Sequence, residues 1–113
     1  QNIDAIAQAA AARAALATGA DEIDLIFAYG AFQAGNRAGV RTCVEAVKEA
    51  CGEATLKVIL ESGAFPDMNQ LRQAAELVVD AGADFLKTSS GVHATGATPE
   101  AVQVLCDVSR AYA

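Results

Sequence analysis

Positive charge is scarce in this chain: eight lysines and arginines face fourteen aspartates and glutamates over 113 residues, for a net charge of -6. The eight are scattered rather than clustered, which argues against nucleic acid or an anionic membrane as partner and favours a small soluble molecule. Cysteine is sparse too. Cys43, Cys51 and Cys106 are an odd count with no C-x-x-C spacing, so neither a disulfide framework nor a thiolate metal site is expected. All three fall in helical stretches, where filling apolar space is their expected role. His93 is the only histidine. It lacks a Cys, His or acidic partner at metal-ligand spacing, so it reads as an exposed loop residue rather than a ligand. No window approaches the ~18 to 20 apolar residues that span a bilayer. The Ala-rich opening, residues 5 to 17, has no basic n-region and contains Gln8 and Arg13, so it reads as a helix and not a signal peptide. These absences together predict a reducing cytoplasm as the compartment.

What is present is an alternation of helical and extended patterns. A first helix is expected from about Asn2 to Thr18, with a stripe at Ile3, Ile6, Ala10, Ala14 and Ala17 that stops at Gly19. A second runs from about Asn36, with Val40, Val44, Val47 and Cys51 on one face and Gly52 as terminator. Asp67-x-x-Gln70 is a capping-box variant for a third, whose Leu71, Ala74, Val78 and Ala81 share a face before Gly82. Thr98 as N-cap and Pro99 at the first helical position open a fourth, through Val102, Leu105 and Cys106 to about Arg110. Gly-Ala-Asp occurs twice, at 19 to 21 and 82 to 84, in equivalent helix-to-strand turns. The expected order is αβαβαβα, one domain over residues 1 to 113 with no linker or low-complexity segment.

Each of the three intervening apolar runs carries a charge: Asp24 in Glu22-Ile23-Asp24-Leu25-Ile26-Phe27, Lys57 in Leu56-Lys57-Val58-Ile59-Leu60, and Lys87 in Phe85-Leu86-Lys87-Thr88. A charge among aliphatic residues needs a compensating partner or a shifted pKa. The gaps, 33 residues from Asp24 to Lys57 and 30 from Lys57 to Lys87, lie close to the roughly 31-residue βα unit of a TIM barrel of about 250 residues. Period two puts Ile23, Leu25 and Phe27 on one strand face, and Leu56, Val58 and Leu60 likewise; the opposite faces carry Glu22, Asp24 and Ile26, then Lys57, Ile59 and Glu61, then Phe85, Lys87 and Ser89. A doubly wound sheet prefers apolar residues on both faces. One apolar and one mixed face predict a partial TIM (β/α)8 barrel of about three βα units preceded by a helix, its inner face forming a site.

Lys87 stands near the carboxyl end of its strand, where barrel sites are built. A lysine among apolar groups favours the neutral amine, the nucleophile that forms a Schiff base with a carbonyl; the competing reading is a lysine snorkelling to solvent. Asp24 could shuttle a proton or orient a lysine, or form a buried ion pair with Lys57. Lys57 is favoured here as the counter-charge that lets Asp24 stay ionised, over a role in depressing the lysine pKa. The short loop at Gly91 could offer backbone N–H groups to a phosphate.

These segments also carry a resemblance. Gly-Ala-Asp-Glu-Ile-Asp-Leu-Ile at 19 to 26, Leu-Lys-Val-Ile-Leu-Glu-Ser at 56 to 62, Ala-Gly-Ala-Asp-Phe-Leu-Lys-Thr-Ser-Ser-Gly at 81 to 91 and Gly-Ala-Thr-Pro-Glu at 96 to 100 closely resemble successive segments of the deoxyribose-phosphate aldolases, in the family's order and through essentially the whole chain. The resemblance implies a class I aldolase on a TIM barrel that interconverts 2-deoxy-D-ribose 5-phosphate with acetaldehyde and D-glyceraldehyde 3-phosphate, in deoxyribonucleotide catabolism, with no metal or organic cofactor. It implies that Lys87 is the Schiff-base lysine, Asp24 the aspartate of the proton relay, and Gly91 a backbone contact to the substrate phosphate. Thr88 and Lys57 join Gly91 as substrate-contacting candidates. The implied partner is a small phosphorylated sugar, with a homodimer as the assembly to be looked for in the full-length protein.

Two departures from the family pattern stand out. Val92 occupies the place after the loop glycine where many members have lysine. The family's second catalytic lysine, within a Gly-Phe-Lys-Pro type segment, has no counterpart before Ala113. With Gln1 rather than Met at the start, the chain reads as the central piece of a longer protein, lacking the N-terminal and C-terminal strands of the barrel, and the 113 residues alone are expected to have little or no aldolase activity. The alternatives are a Schiff-base barrel acting on a different aldehyde, and a non-enzymatic partial barrel that self-associates through its open edges.

Overall fold

The structure, a computed structural model, describes residues 4 to 88 and 98 to 111. Its elements are α1 (Ala5–Ala17), β1 (Glu22–Ile26), α2 (Tyr29–Gln33), α3 (Arg37–Cys51), β2 (Thr55–Ile59), a 3-10 turn at Ser62–Ala64, α4 (Met68–Asp80), β3 (Phe85–Lys87) and α5 (Pro99–Ala111). The strands form one parallel sheet in the order β1-β2-β3, with Asp24 beside Lys57, Lys57 beside Phe85, and Ile59 beside Lys87. Sequential parallel strands with their helices on one face form the arc of a barrel; a doubly wound sheet would have helices on both sides.

The two faces part as the period-two alternation requires. Leu25, Phe27, Leu56, Val58 and Leu60 turn toward the helices and join a core with Val40, Val44, Val47, Leu71, Val78, Val104 and Val108. Leu56, Val58 and Leu60 are fully buried, worth about 1.5 to 3 kcal/mol each relative to exposure. The other face is largely bare: Ile26 is 63% and Phe85 60% exposed, and Glu22, Asp24 and Lys87 are exposed. Apolar side chains left uncovered on a sheet face mark it as the interior of something larger.

Local signals act where expected at most helix ends. Asn36, Asp67 and Thr98 each cap with a side-chain oxygen, accepting from the N–H of Gly39 (3.0 Å), Gln70 (2.8 Å) and Ala101 (3.1 Å). Gln70 does not complete the box in return, because its Oε1 accepts from Gln33 Nε2 on α2 at 2.7 Å. Gly19 and Gly82 end their helices at φ 103° and 122°. Their flanking bonds match pair for pair, Gly19 N–H to Leu16 O with Ala20 N–H to Ala15 O, and Gly82 N–H to Val79 O with Ala83 N–H to Val78 O, the double closure of a Schellman motif.

Three helix readings need correction. The stripe expected on α1 is not the buried one: Ala9 and Ala12 are buried while Ile6 is 82% exposed. In an alanine-rich helix the lone isoleucine misleads, because small side chains that let α1 approach α3 closely decide the packing. On α5 the buried set is Ala101, Val104, Leu105 and Val108, whereas Val102 and Cys106 are exposed, so Cys43 and Cys51 fill apolar space and Cys106 does not. Finally, α2 interrupts the simple alternation. Five residues that include Gly30 carry no helical period, and α2 owes its place to Ala31 and Phe32, buried in the core where it meets α3.

Candidate active site

The side chains proposed for chemistry converge through strand register. Asp24 and Lys57 are direct neighbours on β1 and β2, and Lys87 lies one layer nearer the carboxyl end, level with Ile59 and Ile26. All three share the uncovered face. From the usual rise and strand spacing the Cα atoms of Asp24 and Lys87 are roughly 12 Å apart, a separation that a small molecule or water must bridge.

The backbone carrying Lys87 and Thr88 is fixed to the exit of β2. Leu60 N–H donates to the Lys87 carbonyl at 2.9 Å, and Ser62 N–H to the Thr88 carbonyl at 2.7 Å, so the ladder continues past the end of the strands. Glu61, between those donors, takes the left-handed conformation at φ 53°, which costs a non-glycine residue about 1 to 2 kcal/mol. Such strain concentrates where a site demands a particular backbone path. The turn that follows is anchored by an aromatic cluster: Phe65 packs against Phe27, Tyr29 and Phe32 at ring distances of 5.8, 5.1 and 6.1 Å. This cluster ties the segment after β1 to the segment after β2, the two described loops at the carboxyl end of the sheet. Ser62 Oγ is buried without a hydrogen-bond partner among the described residues.

The ion pairing differs from the sequence expectation. Lys57 pairs with Glu22, Nζ to Oε1 at 3.0 Å, and no ion pair or hydrogen bond engages the Asp24 carboxylate among the described residues. Hydrogen bonding to Glu22, with that carboxylate's charge and more weakly that of Asp24, raises the Lys57 pKa against the opposing effect of burial. Glu22 was the residue sequence reasoning left without a role. Its signal was available, since it lies two positions before Asp24 and therefore on the same strand face. Lys87 stands exposed on these three strands, so the described residues do not supply the apolar enclosure expected around it.

An open groove of about 610 Å³ lies between β3 and α5, lined by Leu86, Lys87 and Thr88 together with Val102, Leu105 and Cys106. Gly91, with its expected phosphate contact, and Ser89, Val92 and His93 lie outside the described residues. Among the described residues no cluster of His, Cys, Asp or Glu could hold a metal ion, and no helix is long and apolar enough to cross a membrane.

The sequence model described as DeoC/LacD family aldolase matches residues 1 to 113. The chain belongs to the DeoC/LacD aldolase family. Among solved structures, a Toxoplasma gondii ME49 protein named as a deoxyribose-phosphate aldolase superposes with a TM-score of 0.90 at 33% identity, covering 98% of this chain and 42% of that one. A Coccidioides immitis protein of the same designation gives a TM-score of 0.90 at 29% identity, covering 97% and 43%. A protein called QR15, an aldolase, gives 0.89 at 26% identity, covering 97% and 49%. The chain thus spans less than half the length of each of these structures. The DeoC/LacD fold seen here is a three-stranded arc of the TIM barrel.

Proposed function

We propose that this family member is the central arc of a class I deoxyribose-phosphate aldolase, a cytoplasmic enzyme that reversibly cleaves 2-deoxy-D-ribose 5-phosphate through a Schiff base on Lys87. The observation that carries the reading is the placement of Lys87 at the carboxyl end of β3, on the same uncovered face as Asp24 and Lys57. Two relatives named as deoxyribose-phosphate aldolases add the substrate class.

In the cleavage direction the Lys87 amine adds to the C1 aldehyde of the open-chain sugar, and loss of water gives a protonated imine. Acetaldehyde keeps two carbons, so the C2–C3 bond breaks: its electrons pass to the iminium as an enamine forms, while the C3 hydroxyl loses its proton and becomes the aldehyde of glyceraldehyde 3-phosphate. Protonation of the enamine at C2 and hydrolysis release acetaldehyde and restore the amine. Asp24, acting through water across the gap to Lys87, moves protons in these steps. Gly91 and Thr88 contact the phosphorylated substrate, and Lys57, paired with Glu22, adds positive charge to the inner face below it. The remaining strands, a homodimeric assembly and the freedom from metal or organic cofactors belong to the same proposal for the whole protein.

Treatment of the full-length protein with acetaldehyde and borohydride tests this reading. A reduced two-carbon adduct on the peptide containing Lys87 is expected, and none in Lys87→Leu; an adduct that persists in the mutant refutes the assignment. Val92, in place of the lysine many relatives carry, favours one second reading, a substrate other than deoxyribose 5-phosphate. Comparing its cleavage with that of other phosphorylated sugars decides between the two.

A further inference from the structure

The unexpected partner of Lys57 assigns a role to a residue that the aldol chemistry does not touch. We propose that Glu22 is a positioning residue: by holding the Lys57 ammonium it keeps that cation off Asp24 and leaves the Asp24 carboxylate free to exchange protons through water. The inference rests on the catalytic reading of Lys87 and Asp24 given above.

The geometry sets up a competition. Lys57 is the direct register neighbour of Asp24, with strands about 4.8 Å apart, yet its Nζ lies 3.0 Å from Glu22 Oε1 and forms no ion pair with Asp24. One ammonium therefore faces two carboxylates two residues apart on one strand. Lysine is a point charge on a flexible four-carbon stem, and either carboxylate lies within its reach. Glu22 holds it from the amino-terminal side, away from the end of the sheet where Lys87 stands. Among the described residues the charged groups of the inner face near Asp24 are Glu22 on its own strand, Lys57 on β2, and Lys87 on β3 one layer above, with Glu61 beyond the end of β2; α1 brings only the uncharged Gln8 and alanines beside Glu22 and Asp24.

Neutralising Glu22 removes the competitor. Lys57 then turns to its register neighbour, and a cation in contact favours the charged form of a carboxylate. A carboxylate so held takes up a proton less readily and is a poorer proton carrier. Glu22→Gln preserves shape and removes only charge, and the Glu22 side chain is 52% exposed, so the fold is expected to survive.

The test is the pH profile of kcat for deoxyribose 5-phosphate cleavage by the full-length enzyme, with a crystal structure of Glu22→Gln and borohydride trapping on Lys87 alongside. Glu22→Gln is expected to lower kcat at neutral pH about tenfold and to move the acid limb down by about one pH unit. Glu22→Asp, which keeps the charge, restores the limb, and the variant structure shows Lys57 Nζ against Asp24. A limb that does not move in Glu22→Gln, or a uniform loss at every pH that Glu22→Asp does not recover, overturns the proposal. Trapping separates the two readings. If wild type and Glu22→Gln both give the Lys87 adduct, the site stands and the limb alone judges Glu22. If wild type gives none, the catalytic reading fails and takes the role of Glu22 with it, whatever Lys57 does in the variant structure.

Discussion

Replacing Asp84 by alanine removes one side chain that holds three elements together. Its Oδ2 accepts from the Leu56 N–H at 2.8 Å and from Lys48 Nζ at 2.7 Å, while its own N–H donates to the Leu56 carbonyl at 2.8 Å. The carboxylate thus joins the start of β3 to β2 and to α3, beside a Leu56 side chain that is fully buried. A hydrogen bond to a charged group contributes about 1.5 to 3 kcal/mol. The Lys48 pair, with side chains 31% and 37% exposed, adds no more than about 0.5 kcal/mol. Asp84→Ala should therefore cost about 2 kcal/mol, which at an m-value of about 2 kcal/mol/M lowers the urea midpoint by about 1 M. Burial raises the Asp84 carboxyl pKa, but the Leu56 N–H and the Lys48 ammonium outweigh it and leave the value lowered. A lowered folded-state pKa stabilises the fold above the ordinary aspartate value near ~4 and ceases to do so as pH falls through the folded value. The difference between wild type and Asp84→Ala should accordingly be full at pH 7 and shrink below about pH 4. Asp21 supplies the control: it holds the same place in the first Gly-Ala-Asp turn, its carboxylate has no partner among the described residues, and Asp21→Ala should stay within about 0.5 kcal/mol in this chain. Urea unfolding monitored by circular dichroism at several pH values measures all of this. Equal losses for the two alanines, or an Asp84 loss that does not change with pH, would refute the reasoning.

The two Schellman glycines should also differ. A Cβ on Gly82 would meet Lys48 Cγ at 3.0 Å, whereas one on Gly19 would meet nothing within 4 Å. Both alanines incur about 1 to 2 kcal/mol of left-handed strain, and Gly82→Ala should cost the more because it also displaces the lysine that pairs with Asp84; equal urea midpoints would show that Lys48 yields freely. Phe65→Ala should destabilise by about 3 to 5 kcal/mol, since Phe65 is 7% exposed and touches three other rings. It should also loosen the segment carrying Ser62, read as faster hydrogen exchange at the Ser62 amide; a loss below about 1 kcal/mol would mean that the cluster does not anchor that turn.

The capping residues Asp67 and Thr98, the helix start at Asn36, the glycine turns and the two faces of each strand were legible because each signal acts within one helical turn or one pleat of its own residue. The same locality explains the misreadings. On α1 and α5 the chain offers several small residues around the helix, and only the neighbouring helix selects which of them is buried. Gln70 could complete its capping box or serve α2, and the fold gave it to Gln33. Gly91 and its loop lie outside the described residues, so that part of the candidate site rests on sequence alone.

The amino-acid order by itself determined that this chain alternates helix and strand, that Asp24, Lys57 and Lys87 share one strand face, and that its motifs are those of the aldolase family. It could do so because side-chain alternation along a strand and capping at a helix end need no distant partner. Which of two carboxylates Lys57 would take, why Asp84 acquires partners that Asp21 lacks, and how the Lys87 backbone is held to the exit of β2 were decided only in three dimensions. Each depends on strand register and on contacts between residues 26 to 36 positions apart, and no local pattern in the chain fixes those distances.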